Sequence, residues 1–146
     1  VLISEFNFGS RDRGPFWGGV TELAREEDRA PAYATFLKQA ISEPSIVGVH
    51  WFQYLDQPVT GRLLDGENGH FGLVGITDIP FQGFVDGVRK ANLQALDQLG
   101  KAAEAARLEV EKAANAGAAN EGEKGPPDGH APGQSGHPGG HSANGH

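Results

Sequence analysis

The chain has 146 residues, with 12 Lys+Arg against 19 Asp+Glu, a net charge of −7, and no cysteine or methionine. Absent cysteine removes disulfides, thiolate chemistry and Cys-ligated zinc or iron–sulfur centres. The acidic balance argues against a nucleic-acid partner, which needs a clustered Lys/Arg face, and no apolar run reaches the ~18 residues of a membrane span. Val110 is the last bulky apolar residue, and Glu111 to His146 lack Val, Ile, Leu, Phe, Trp and Tyr. That stretch cannot bury a core or offset its ordering entropy. Two segments are therefore expected: 1–110, which can fold, and 111–146, a low-complexity Gly/Pro/His tail expected to be disordered.

Val1 to Phe8 (VLISEFNF) reads as a buried strand ended by Gly9. Period-2 geometry places Val1, Ile3 and Glu5 on one face. Gly9 to Val20 is a glycine-rich loop. A helix follows over roughly Ala30 to Ser42, with Asp28 as its cap and Tyr33, Phe36, Leu37, Ala40 and Ile41 forming an apolar stripe; Pro44 stops it. Ser45 to Phe52 (SIVGVHWF) is a second strand with Val47, Val49 and Trp51 on one face. Gln53 to Pro80 is a long connection in which Phe71 to Ile76 form a short extra strand. A second helix starts at Phe81 and continues beyond Gly100 into KAAEAARLEVEKAANA, a composition that favours helix. At 1.5 Å per residue it would be ~50 Å long, more than is needed to cover one sheet.

The order is strand, loop, helix, strand, loop, helix, with both strands nearly continuously apolar. This is the pattern of parallel βα units in an α/β fold, as part of a barrel or an open sheet. Because a β-rich run opens the chain at Val1 and two strands cannot hide both faces of a sheet, the sequence reads as the C-terminal piece of a longer protein.

In βα proteins sites are built at the C-terminal ends of the strands. Glu5 ends the first strand, where a carboxylate is costly unless hydrogen-bonded or used; Arg11 or Arg62 would be its structural partner. Trp51 ends the second strand on the equivalent face, as a core residue or as a platform for a sugar ring. Trp17, beside Phe16 on a loop rich in glycine, is a second such platform. The long loop carries Gln53, Asp56, Arg62, Asp65, Glu67, Asn68 and His70, a mixture of amides, acids and one cation suited to a polyhydroxylated ligand. The DGEN run lacks the ladder and distant Glu of a calcium loop, so no metal and no cofactor is expected. Glycoside hydrolysis needs two carboxyl groups flanking the bond. Glu5 is one candidate; Asp56, Asp65 and Glu67 are available as the second, although a rigid strand end is the better mount.

The stretch IVGVHWFQYLDQPVTGRLLDGENGHFGLVGITDIPFQGFVDGVRKAN, together with ISEFNFG and PFWGGV, resembles the C-terminal end of β-agarases of glycoside hydrolase family 50, relatives of family 42 β-galactosidases within a clan of retaining (β/α)8 barrels. The resemblance spans about Val1 to Asn92, and its most specific piece is HWFQY-x-DQP-x-TGR-x-x-DGEN. It implies the last two βα units of a TIM barrel, followed by the extended helix and the tail. It also implies Glu5 as nucleophile and Trp51 as the sugar-facing aromatic. The acid/base Glu of such families follows an Asn on the fourth strand, and this sequence holds no equivalent.

The resulting expectation is a fragment of a retaining glycosidase acting on a galactan, with agarose as the leading substrate. A β-galactosidase-like hydrolase of another substrate and a non-catalytic carbohydrate-binding fragment are the alternatives. Glu5 is expected to be catalytic, and Trp17, Trp51, Gln53, Asp56, Arg62, Glu67 and Asn68 to bind substrate. The chain alone is expected to be inactive for want of the acid/base. The expected partner is a polysaccharide or oligosaccharide, with no nucleic acid and no membrane; a polymer substrate implies a secreted or periplasmic enzyme. The tail histidines His130, His137, His141 and His146 lie among Gly and Pro, where no defined metal site is expected.

Overall fold

Short apolar runs bounded by glycine form strands, and the first of them, β1, spans Leu2–Phe6. The computed structural model describes residues 1–121. Three more short strands follow: β2 (Gly9–Ser10), β3 (Glu22–Leu23) and β4 (Gly48–Trp51). The helices are α1 (Arg29–Ser42), entered through a 3₁₀ turn at Glu26–Asp28, and α2 (Gln82–Glu121). The architecture is α/β, with two helices and two small parallel sheets, β1–β4 and β2–β3. Contacts group the described residues into two units, Val1–Arg107 and a second that begins at Leu108.

The parallel pairing of β1 with β4 follows the sequence expectation, but its register does not. Leu2 faces Gly48 and Ile3 faces Val49; the ladder then shifts, and Phe6, not Glu5, faces Trp51. Three steps along β1 match two along β4, which is the count of a β-bulge. Strand β4 is also shorter than Ser45 to Phe52, because residues 43–46 close a turn after α1 in which the Ile46 N–H donates to the Glu43 carbonyl at 2.9 Å.

The core lies between the β1–β4 sheet and the helices. Tyr33 and Leu37 of α1 and Phe84, Ala91 and Ala95 of α2 are buried together, with Phe6, Val49 and Trp51 packed against them. Aromatic rings fill the sheet side of this layer: Phe6 stacks on Phe36 at 4.2 Å, and Trp51 meets Phe6 edge-on at 5.2 Å and Phe84 at 5.1 Å. Small residues on α2 admit close helix packing. A Cβ at Gly87 would collide with Ala30.

Three local expectations are corrected. Asp28 occupies the N-cap position of α1 without a capping hydrogen bond, because its backbone already has helical angles from the 3₁₀ turn; its carboxylate faces Arg25 at 3.5 Å. Phe71 to Ile76 form only isolated bridges, Val74 to Leu55 and to Pro80, since flanking turns leave no run to pair. And α2 continues to Glu121, past the Glu111 boundary set for a disordered tail. Its Ala, Glu and Lys residues favour helix intrinsically, and Lys112 pairs with Glu109 at 2.9 Å. The remainder of the expected tail, with its four histidines, lies outside the described residues.

Candidate active site

At the C-terminal end of β1, Glu5 is solvent-exposed, and no residue of β4 stands opposite it. Among the described residues it forms no ion pair: Arg11 pairs instead with Glu22 at 2.5 Å, and Arg62 pairs with Asp65 and Glu67. Arg62 lies close enough to sense the Glu5 charge. Its Nε and Nη2 donate to the two Asp65 oxygens at 2.7 and 2.6 Å, and Nη2 also meets Glu67 at 2.9 Å. These contacts, led by the Asp65 hydrogen bond, raise the guanidinium pKa above its ordinary value and lower that of Asp65.

The loop 53–70 is tied down from within. Gln57 is buried; its amide donates to Glu67 at 3.0 Å, and its carbonyl oxygen accepts from the Gly69 N–H at 2.6 Å. Gln53 is half-buried, and its amide donates to the Leu55 carbonyl at 2.6 Å. The Asn68 amide donates to the Pro15 carbonyl at 3.0 Å and its oxygen accepts from the Trp17 N–H at 3.3 Å, joining this loop to the one that carries Trp17. Trp17 itself is 38% exposed, its indole edge-on to Phe71 at 6.4 Å.

Two residues expected to contact substrate make contacts within the fold. Trp51 lies in the aromatic core, and its Nε1–H donates to the Phe71 carbonyl at 3.0 Å. The bulge explains the difference: a simple two-residue period pairs Trp51 with Glu5, whereas the shifted ladder pairs it with Phe6. Asp56 is 3% exposed; one oxygen accepts from the Gly72 N–H at 2.6 Å and the other meets His70 Nδ1 at 2.7 Å. With both oxygens engaged and water excluded, its carboxylate braces the loop.

Sequence reasoning missed Glu26 and Arg29, which join His70 and Asp56 in a buried ionic cluster beneath these loops. Arg29, 0% exposed, donates from Nη1 to both Glu26 oxygens at 3.0 and 3.1 Å, from Nε to the Phe8 carbonyl at 2.9 Å, and from Nη2 to the Gly72 carbonyl at 2.7 Å. Its guanidinium rests on the Phe84 ring at 4.0 Å. His70, also 0% exposed, meets Glu26 through Nε2 at 2.6 Å while Nδ1 faces Asp56. Burial works to lower the His70 pKa, but its hydrogen bonds to Asp56 and Glu26 overcome this and raise it above 6.5. Burial likewise works to raise the Glu26 pKa, and the His70 hydrogen bond and the Arg29 charge reverse it, holding the carboxyl below its ordinary range. A signal for Arg29 existed: it stands four residues before Tyr33, one turn back along the apolar stripe of α1.

No buried side-chain nitrogen or oxygen lacks a partner among the described residues, and no set of three acids and histidines there is arranged to hold a metal ion. No described helix is long and apolar enough to cross a membrane.

No family model matches the chain. It is 46% identical over 91 residues to β-agarase B of Vibrio sp. (strain JT0107), a match covering 62% of this chain and 10% of that protein. Among solved structures it is similar to an exo-β-agarase, with a TM-score of 0.63 and 40% identity over 66% of this chain and 13% of the other. It is also similar to PfGH50B, with a TM-score of 0.64 and 37% identity over 66% of this chain and 14% of the other. The chain thus spans about a tenth of the length of the curated relatives it matches.

Proposed function

We propose that this chain, homologous to a segment of the β-agarases of glycoside hydrolase family 50, supplies the nucleophile end of the active site of a retaining agarase that hydrolyses agarose. The observation that carries the reading is the placement of Glu5: a free, exposed carboxylate at the C-terminal end of a strand in a parallel, helix-backed sheet, beside the polar loop 53–70. In the parent enzyme β1–α1 and β4–α2 are then the last two βα units of a (β/α)8 barrel, with residues 1–110 as the barrel portion and the rest as an appended helix and tail. The site sits at the strands' C-terminal edge.

In the two-step mechanism the Glu5 carboxylate attacks the anomeric carbon and the glycosidic oxygen leaves with a proton from an acid/base carboxyl. Water then hydrolyses the glycosyl-enzyme ester, restoring Glu5 and the acid. The acid/base comes from the part of the parent enzyme outside this sequence, so the chain alone does not turn over. Trp17 offers an aromatic face for the C–H side of a pyranose, and Gln53, Arg62, Glu67 and Asn68 offer amides and charged groups to its hydroxyls. The Arg62 charge is offset by Asp65 and Glu67, which suits a neutral galactan. A polymeric substrate places the parent enzyme outside the cytoplasm.

The test is a chimera in which this chain's segment replaces the 91-residue match in β-agarase B of Vibrio sp.. We expect agarose hydrolysis by the chimera and none by the 146-residue chain. Glu5→Gln in the chimera should abolish turnover by at least about a thousandfold while agaro-oligosaccharide binding persists. Turnover retained by Glu5→Gln would leave a carbohydrate-binding role without catalysis.

A further inference from the structure

We propose that His70 is a positioning residue: clamped between the carboxylates of Asp56 and Glu26, it fixes the loop segment that holds Trp17 in its exposed place. The sugar-binding consequence of this rests on the agarase reading; the geometry does not.

The His70 ring joins segments distant in sequence. Nδ1 reaches Asp56 on the long loop at 2.7 Å, and Nε2 reaches Glu26 before α1 at 2.6 Å. Glu26 is itself fixed by Arg29 and by its own backbone N–H, which donates to Asp12 at 3.0 Å. The backbone N–H of His70 itself donates to the Trp17 carbonyl at 2.8 Å, and the neighbouring Gly69 bridges Trp17 in parallel. Phe71, on the other side of His70, gives the Trp17 indole its edge-on contact. Trp17 is therefore held by residues 68–71, and these are anchored through the His70 ring.

The ring's protonation follows from the same geometry. An ionised carboxylate only accepts hydrogen bonds, so a ring with a carboxylate oxygen at each nitrogen satisfies both only when both nitrogens carry protons. The imidazolium and Arg29 then balance Glu26 and Asp56 in a space closed by the Phe16 and Phe81 rings, whose centroids lie 6.0 and 4.8 Å from that of His70. The remaining charged groups around this cluster are Asp12, bonded to Ser10 and the Glu26 N–H, and Arg13, which lies over Phe81 at 5.6 Å. Loss of the proton sets a nitrogen lone pair against a carboxylate oxygen and releases one anchor. The hydrogen bonds to Asp56 and Glu26 raise the His70 pKa against the effect of burial, the direction this geometry requires.

The experiment is an NMR titration of the full chain from about pH 6 to about pH 10, following the His70 ring nitrogens, the Trp17 indole N–H and, as references, the Leu37 and Ala95 methyls of the apolar core. Agarohexaose binding is measured in parallel on the Glu5→Gln form of the β-agarase chimera. We expect His70 to titrate above the ~6.5 of a free histidine, the Trp17 signal to shift at the same midpoint while the core methyls hold, and agarohexaose affinity to fall about tenfold across that interval. Glu26→Gln should lower the His70 midpoint, and the Trp17 transition should move with it. A Trp17 signal indifferent to His70 titration, or a His70 midpoint at or below that of free histidine, overturns the proposal. If Trp17 follows His70 but agarohexaose binds at no pH, the positioning role stands and the agarase reading fails. Should Glu26→Gln not fold, the wild-type titration decides alone.

Discussion

Arg29 and Arg62 each meet a carboxylate three residues away, Glu26 at 3.0 Å and Asp65 at 2.6 Å, yet one is fully buried and the other keeps 34% of its side chain exposed. In the buried pair every polar atom is matched and nothing is left for a ligand. The cost of removing Arg29 and Glu26 from water is recovered only because carbonyls, His70 and an aromatic face complete the arrangement. Around Arg62 water screens the charges, the pair contributes little to folding, and the groups stay open to solutes. An arginine with a carboxylate three residues away thus serves as a structural joint in one place and as surface chemistry in the other, and the surrounding solvent decides which.

The largest effect that would break or sharpen this contrast is expected from Arg29→Met. It strands Glu26 and the carbonyls of Phe8 and Gly72 in the interior, and should cost about 3–5 kcal/mol in urea unfolding. A cost equal to that of Arg62→Met would erase the distinction.

Next comes pH. The folded-state pKa of His70 is raised above 6.5, so its contribution is complete below that value and is lost as pH rises through the folded pKa. That of Glu26 is depressed below 4.5, so its contribution is complete above that value and is lost as pH falls through the folded pKa. Urea midpoints measured across pH should therefore decline on both sides of a plateau. Replacing Arg62 should leave both flanks in place.

Tyr33→Phe separates charge from hydrogen bonding. The Tyr33 hydroxyl donates to the Asn92 oxygen at 2.8 Å within the core, and its loss should cost about 1 kcal/mol. Any larger penalty at Arg29 then reflects ionic burial. The smallest effect on folding is expected from Arg62→Met, whose unfolding midpoint should match the wild type within error. In the agarase chimera the same change should weaken agaro-oligosaccharide binding, since the loss falls on the wet side of the comparison.

The elements visible in the sequence were those with a long apolar period. The stripe Tyr33, Leu37 and Ala40 located α1, Pro44 marked its end, and the runs around Ile3 and Val49 located the two strands of the parallel sheet. The β2–β3 pair was not legible, because two-residue strands have no period, and Gly9 enters through packing: a Cβ there would collide with the carbonyls of His70 and Gly18. The chemistry was legible as a list of polar residues along the loop but not as two populations. Asp56, Gln57 and His70 turn inward to bonds made with distant segments, whereas Arg62 and Asn68 lie nearer the solvent, and no local pattern separates them. The packing of Trp51 was hidden for a similar reason, since it depends on cross-strand register.

The irregularity between Ile3 and Phe6 has an effect on heredity as well as on shape. A strand with one spare residue is insulated against its neighbour: residues before the irregularity answer to Val49 and residues after it to Trp51, so Ser4 and Glu5 change without disturbing an opposing side chain. Substitution at Glu5 is therefore structurally inexpensive. Deleting a single residue from this interval would match two steps of β1 to two of β4, so Phe6 would keep its place opposite Trp51 while the bulge that frees Glu5 from a partner would be lost: a change at the site that the core does not register.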